Sequence, residues 1–399
     1  MFFAPSRKLA ARRRRDGGHR IYDPRERALL GLFDAFLRVV SPIAGLRPAG
    51  PMGEPSRARR ILALRLDRIG DFVTTLPALE CLRAAAPEAH IELGVGSWNE
   101  PIARRLPFVD AVRVVDAPWA SWEKRTSFAD ARRALGSDWD LALDFQGDVR
   151  VILLMALAGA KLRAGYGETG GAHLLTHRAR WDESRSWYWQ NLELLRTLFP
   201  ETDFEPPARP FSFLSEVDRE TARGVLDTGA HSLIGIHPSA GRRLKQWEES
   251  KFVALIDRLA ETATIVLTGS SGDEALVRGI AAKARKPPRV LLGMPLLTFA
   301  AVIERFDLFV TGDTGPMHLS HAVGTRNVAI FGPSDPVRYG PETDLSLRRV
   351  VRQPLYCSPC NMIRRPPGEC ARAPTPECIA SVGVEQVLQA VQLCLNVRL

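Results

Sequence analysis

The sequence predicts two doubly wound α/β domains in tandem. Three observations carry that expectation. Strand-like and helix-like stretches alternate on both sides of a proline-rich segment, Pro206 to Pro210. The strand-like stretches are apolar runs of the kind that parallel strands covered on both faces require. The length, 399 residues, suits two cores of ordinary domain size. Hydrophobic residues make up 45% and charged residues 25%, as in ordinary globular chains, and no uninterrupted apolar stretch reaches the ~18 residues of a membrane-spanning helix.

The formal charge of +9 would suit a nucleic-acid partner, but its location does not. Residues 1–60 hold 14 Lys and Arg, including Arg12, Arg13, Arg14 and Arg15, against 5 acidic residues. That imbalance accounts for the whole excess, so the body is neutral and no nucleic-acid partner is expected. Residues 1–58 therefore read as a basic arm. Its first 22 residues, rich in Arg and Gly, are expected to be disordered. From Pro24 to about Leu46 the pattern turns helical: Leu29, Leu30, Leu32, Phe33, Phe36, Leu37, Val40 and Ile43 recur at spacings of three and four, with Arg25, Glu26, Asp34 and Arg38 on the other side. Such a helix behind a polyarginine run suits an anionic membrane surface, at about 1 kcal/mol per basic residue near it. A helix packed on the protein's own body is the alternative. No signal peptide is read, because no apolar core directly follows the arginines and Asp16, Asp23 and Glu26 intervene. A Pro- and Gly-bearing linker, Arg47 to Ser56, leads into the body.

In the domain expected over 59–210, strands are predicted at Ile61–Leu66, Ile91–Val95, Ala111–Val115 and Leu141–Asp144, with helices at Phe72–Ala86 and Ser127–Leu135. In the domain expected over 211–399, strands are predicted at Leu233–His237, Thr264–Thr268, Val290–Leu292, Leu308–Thr311 and Asn327–Phe331. Helices are predicted there at Glu216–Asp227, Ser250–Glu261, Gly272–Arg285 and Pro316–Val323. Ligands of such sheets lie beyond the carboxyl ends of the strands, so the chemistry is sought in those loops.

The first loop runs Leu66-Asp67-Arg68-Ile69-Gly70-Asp71 into a helix. Gly70 allows a tight turn or a ligand's close approach. Asp71 stands at the helix start, where the dipole favours a carboxylate able to take a proton from a sugar hydroxyl. Read locally, Asp71 fits an ordinary N-cap better than a base, and Asp67 is a competing carboxylate. In the second half, Ile236-His237-Pro238-Ser239-Ala240-Gly241 and then Lys245-Gln246-Trp247 offer backbone amides and a cation to phosphate, although Lys245 also reads as a surface lysine. In the turn Thr268–Glu274, Asp273 and Glu274 either bond ribose hydroxyls or cap the following helix. Thr311-Gly312-Asp313-Thr314-Gly315-Pro316-Met317-His318 joins a buried strand to a helix with proline near its start, an anion site suited to a diphosphate. His318, one turn in, either faces that ligand or packs. No loop carries the Gly-x-Gly-x-x-Gly dinucleotide fingerprint, which counts against hydride transfer. No Asp-x-Asp is read beside a strand end, so Lys245 and helix amides would have to neutralise a leaving diphosphate.

Together these loops resemble one family. Ile61–Leu79 (Ile-Leu-Ala-Leu-Arg-Leu-Asp-Arg-Ile-Gly-Asp-Phe-Val-Thr-Thr-Leu-Pro-Ala-Leu) resembles the opening of glycosyltransferase family 9, the heptosyltransferases of lipopolysaccharide core assembly. Lys245-x-Trp247-x-x-x-x-Phe252 and Asp313-Thr314-Gly315-Pro316-Met317-His318 match its other signatures in the same order, over about residues 60–395. The resemblance implies a GT-B fold: two Rossmann-like domains facing a central cleft, acceptor in the first and nucleotide-sugar donor in the second. It implies inverting, metal-independent transfer with no cofactor required. Asp71 matches the family's base, Lys245 its phosphate-contacting lysine, and Asp313, Thr314, Gly315 and His318 its donor loop. Asp273 or Glu274 falls near its ribose-contacting acid. The implied donor is ADP-heptose and the acceptor a lipid-linked glycan such as the lipopolysaccharide core, met by a cytoplasmic, peripheral enzyme at the inner face of the cytoplasmic membrane. Arg68, Trp98, Asn99 and Gln146 are candidates to line the acceptor pocket. Two other readings stay open: another GT-B sugar-nucleotide enzyme such as an epimerase, and a non-catalytic membrane-attached binder, which intact Asp71, Lys245 and His318 argue against.

Cys357, Cys360, Cys370 and Cys378, spaced C-x2-C-x9-C-x7-C in a loop rich in Pro and Arg, suit structural zinc or an iron–sulfur cluster, or else free or redox-active thiols. The second pair lacks zinc-knuckle spacing. Cys81 and Cys394 read as core residues.

Overall fold

The computed structural model describes residues 24–46, 53–119, 126–205 except 183, 211–226 except 212, 232–340, 347–361, 370 and 376–395. Disorder expected at residues 1–22 lies outside that set, as do the polyarginine run and linker residues 47–52. The chain divides at residues 207 and 208 into two compact units.

The first unit is built on β1 (Arg60–Arg65), β2 (His90–Val95), β3 (Ala111–Val114), β4 (Leu141–Asp144), β5 (Leu162–Tyr166) and β6 (His177–Ala179). They form one sheet in the order β3-β2-β1-β4-β5-β6, every pairing parallel. In β1, Ile61 lies opposite Ile91 on one side and Leu141 on the other. Leu62, Leu64 and Leu66 pack into a core with Trp139, Val151, Ile152 and Met155. The strand order reverses between β1 and β4, so ligand-bearing loops are expected after those two strands.

The second unit repeats the plan with β7 (Leu233–His237), β8 (Thr264–Gly269), β9 (Arg289–Leu292), β10 (Leu308–Gly312), β11 (Asn327–Phe331) and β12 (Arg348–Arg352). Its order is β12-β11-β10-β7-β8-β9, again parallel throughout, with the reversal between β7 and β10. Ile234, Ile236, Val310 and Val328 meet Phe252, Leu255, Ile256 and Val391 in its core.

Several elements differ from the sequence reading. The single helix expected over Phe72–Ala86 is two, Ile69–Val73 and Leu76–Ala85. Pro77, in the first turn of the second helix, has no amide to return to the Val73 carbonyl four residues back, and the Thr74 and Thr75 hydroxyls both donate to the Asp71 carbonyl. β5 was hidden by its buried arginine: Arg163 donates to the carbonyls of Ala160, Leu174 and Leu46, so a charge sits inside the strand. β12 is an edge strand flanked by arginines. The helix Val149–Leu157 is apolar nearly all round and shows no amphipathic period. The amino-terminal helix, Pro24–Ile43, belongs to the first unit, with Leu37 and Ser41 buried.

Candidate functional site

In the first unit the loop after β1 enters a five-residue helix whose N-cap is Arg68, with no side-chain capping bond. Asp71 stands two residues inside the helix, in its first turn, so it is not the N-cap. Gly70 is buried, and its φ is not positive, so a left-handed turn is not its role. Beneath the loop lies Arg65, the last residue of β1 and wholly buried. Its Nε is 2.8 Å from Asp67 Oδ1 and its Nη2 is 3.5 Å from Asp71 Oδ1. Its Nη1 donates to the Phe145 carbonyl beyond β4, and its guanidinium lies 4.8 Å from the Trp187 ring centroid. A buried cation facing two carboxylates and an aromatic ring ties the loop to the end of the strand. Asp71 is the more exposed and more loosely held of the two acids.

The acceptor candidates divide. Trp98 Nε1 and Asn99 Nδ2 donate to the Asp67 carbonyl at 2.8 and 3.0 Å, so both hold the loop. Gln146 begins the turn after β4, where the buried Asp144 carboxylate accepts from the amides of Gln146, Gly147 and Asp148. Arg68 is exposed beside Asp67.

In the second unit two loops meet at the reversal between β7 and β10. Lys245, in a short turn after β7, places its ammonium 2.6 Å from Asp313 Oδ2 and donates to the Asp313 carbonyl at 3.3 Å. Both side chains are nearly buried, and the Tyr339 ring lies beside the ammonium. Trp247 and Phe252 of the Lys245-x-Trp247 signature stack edge to face in the core, where Trp247 Nε1 donates to Val382. They anchor the turn that presents Lys245. Thr314 is the N-cap of the helix Gly315–Ala322, and its hydroxyl lies 3.1 Å from that of Thr311. Helix start, lysine and threonine hydroxyls together suit a diphosphate. His318 is buried.

The family model of glycosyltransferase family 9 (heptosyltransferase) matches residues 128–368, more than half of the chain. The chain belongs to glycosyltransferase family 9. Lipopolysaccharide heptosyltransferase 1 of Pseudomonas aeruginosa is 26% identical to this family 9 glycosyltransferase over 287 residues, covering 69% of this chain and 79% of the relative. The solved family 9 enzyme of Veillonella parvula superposes with a TM-score of 0.69 at 23% identity, over 85% of this chain and 97% of that one. The Escherichia coli heptosyltransferase WaaC with ADP-2-deoxy-2-fluoro heptose gives 0.62 at 21%, over 84% and 99%. These structural likenesses establish the GT-B type of two-domain α/β fold.

The remaining family 9 candidates fall as follows. Asp273 forms a capping box with Ser270. Burial raises its carboxyl, but the Ser270 hydroxyl and amide and the Ser239 hydroxyl outweigh this and leave it below the ordinary carboxylate value. Glu274 is exposed and pairs with Arg278 one turn on. Ser239 also bonds His237 Nε2 at 2.9 Å, and His237 Nδ1 lies 3.0 Å from the Thr268 hydroxyl. Neither His237 nor Arg65 was given a role from sequence. The available signal was a polar residue at the end of an otherwise apolar strand.

An Asp-x-Asp does stand beside a strand, at Asp138–Asp140, which corrects the sequence reading. It lies at the amino end of β4, where Asp140 accepts from the amides of Arg59 and Arg60 and pairs with Lys161, at the edge opposite the ligand loops. Of the alternatives read for Cys357, Cys360, Cys370 and Cys378, structural zinc or an iron–sulfur cluster finds no support. Among the described residues no group of three or more His, Cys, Asp or Glu side chains is disposed to hold an ion. Residues 362–369 and 371–375 of that loop lie outside the description. Cys378 is a buried thiol, pushed up to about 11 by burial and then by the other three sulfurs. It is therefore protonated at neutral pH.

Burial lowers the His237 imidazole to about 4, against a weak opposing pull from Asp273. Its folded value lies below its unfolded one, so its stabilisation is complete above about pH 6.5 and is lost as pH falls toward 4. That loss should reach on the order of 3 kcal/mol. Thermal melts between pH 4 and 7 should show it, and His237→Gln should flatten that part of the curve. An unchanged slope in the variant would mean His237 is not responsible.

Proposed function

We propose that the chain is an inverting, metal-independent glycosyltransferase that moves a heptose or related sugar from a nucleotide-sugar donor, ADP-heptose being the best candidate, to a lipid-linked glycan such as the lipopolysaccharide core. The observation that carries this reading is the Lys245–Asp313 pair, a nearly buried cation beside a helix start at the reversal of the donor-type sheet. The relative's name, lipopolysaccharide heptosyltransferase, supports the sugar and acceptor, and WaaC with an ADP-heptose analogue supports the donor.

The reaction divides between the two domains. Asp71 takes the proton of an acceptor hydroxyl as that oxygen attacks the anomeric carbon. The bond from that carbon to the diphosphate oxygen breaks on the opposite face, which inverts the centre. Lys245 and the first turn of the helix Gly315–Ala322 receive the negative charge of the departing nucleoside diphosphate. Arg65 keeps the Asp71 carboxylate in place and Asp313 keeps Lys245 aimed at the phosphates. Asp273 and Ser239 lie on the neighbouring loops, suited to the ribose. The enzyme would act in the cytoplasm at the inner face of the membrane, where such acceptors are built.

Incubating the purified protein with a panel of nucleotide sugars and a lipid A-type core acceptor should release ADP from ADP-heptose only when the acceptor is present. No nucleotide release from any donor would sink the enzyme reading, and turnover of a donor without acceptor would point to an epimerase instead.

A further inference from the structure

The amino-terminal helix Pro24–Ile43 presents two different faces. One row is committed to the first domain: Leu37 and Ser41 are buried, and Leu30, Phe33, Asp34 and Val40 partly so. Asp34 latches this row in place, its carboxylate accepting the Gly171 amide at 2.5 Å. Gly170 and Gly171 have positive φ, at +109° and +76°, and a Cβ on Gly170 would come within 3.0 Å of Asp34, so the latch needs glycine there. Beyond the helix, the Leu46 carbonyl accepts from Arg163 of β5. The helix is thus seated at both ends of its contact.

The opposite row is Leu29, Leu32, Phe36, Val39 and Ile43, at spacings of 3-4-3-4, each at least 59% exposed. Scattered apolar residues on a surface need no explanation, but five large ones in line on one helix form a patch that water disfavours. The sequence just before it, residues 7–20, holds Arg7, Lys8, Arg12, Arg13, Arg14, Arg15 and Arg20 against a single acid, Asp16. Among the described residues no helix is long and apolar enough to cross a membrane. An apolar row next to a cluster of cations fits a bilayer interface with anionic headgroups, the row reaching the acyl boundary while the cations meet the lipid phosphates.

We propose that the outer row of this helix is the membrane-docking surface of the protein, taking an anionic lipid bilayer, and that the Asp34 latch holds the first domain at a fixed attitude to it. The proposal goes beyond sugar transfer and stands without it, since its test needs no turnover.

The full chain should sediment with phosphatidylglycerol–phosphatidylcholine vesicles and much less with phosphatidylcholine alone, and added salt should weaken the binding. Leu32→Glu/Phe36→Glu should lower vesicle affinity at least about tenfold while leaving the melting temperature unchanged, because both positions are exposed. Replacing Arg12 to Arg15 with Gln should abolish the preference for anionic lipid. Tryptophan fluorescence gives a second reading: Phe36→Trp should gain a blue-shifted component on adding anionic vesicles. Vesicle binding by the Glu variant equal to that of the parent, or no binding by the parent, would overturn the proposal. So would a parent that is dimeric without lipid and becomes monomeric with Leu32→Glu/Phe36→Glu, since a second copy would then cover the row.

Discussion

Asp71→Asn is expected to lower kcat for sugar transfer by about 10²–10⁴-fold, the usual contribution of a positioned general base, with little change in donor affinity. The substitution keeps the size of the side chain and removes only its capacity to take a proton. Asp71 caps no helix and is the outer of the two acids around Arg65, so the fold should tolerate the change. Asp67 faces the same guanidinium more closely, and Asp67→Asn should instead loosen the loop, reducing stability more than turnover. Kinetics with saturating acceptor, alongside thermal melts, distinguish the two acids. Near-parental kcat in Asp71→Asn, with Asp67→Asn inactive and stable, would transfer the base role to Asp67.

If Lys245 meets the leaving diphosphate as proposed, Lys245→Met should reduce kcat/KM for the donor by about 10²–10³-fold, because that charge is gone. It also leaves the Asp313 carboxylate buried without its partner, at a cost of up to about 3–5 kcal/mol to the second domain. The two effects separate in the double variant Lys245→Met/Asp313→Leu. Removing both charges should recover stability, as replacing buried ion pairs with apolar residues often does, while turnover stays low. If Lys245→Met keeps parental affinity for ADP and parental turnover, the lysine is a structural partner of Asp313 and nothing more.

Much of this was legible in the sequence because the ligand loops interrupt clean apolar strands. β7 and β11 have the residues expected from their apolar runs, and the Asp313 loop stands where a buried strand gives way to a helix. What stayed hidden was polar chemistry inside the elements. Arg163 in β5 and Arg65 at the end of β1 are buried cations that draw part of their partners from distant segments, Leu46 for the first and Phe145 and Trp187 for the second, and no periodicity reports such pairings. The same applies to Trp98 and Asn99. They look like ligand contacts in a loop, yet their donors turn back onto the Asp67 carbonyl. Asp273 and Glu274 adjoin in sequence but differ in setting, one in a capping box and one on the surface. The two faces of the amino-terminal helix could not be separated either, since both are apolar and only packing distinguishes them.

The interruption at Thr74 and Thr75 has a consequence for how the enzyme can change. Two hydroxyls return to the Asp71 carbonyl, and Asn191 of the helix Trp187–Leu198 donates to the Thr74 carbonyl at 2.8 Å. The Asp71 turn is therefore braced from the sheet below and from a neighbouring helix, through bonds in which no side chain of Leu76–Ala85 takes part. Substitutions along that longer helix should register in heat resistance while leaving turnover nearly untouched. Mutational drift can then reshape the flank of the domain without retuning its chemistry, a separation that one continuous helix would not provide.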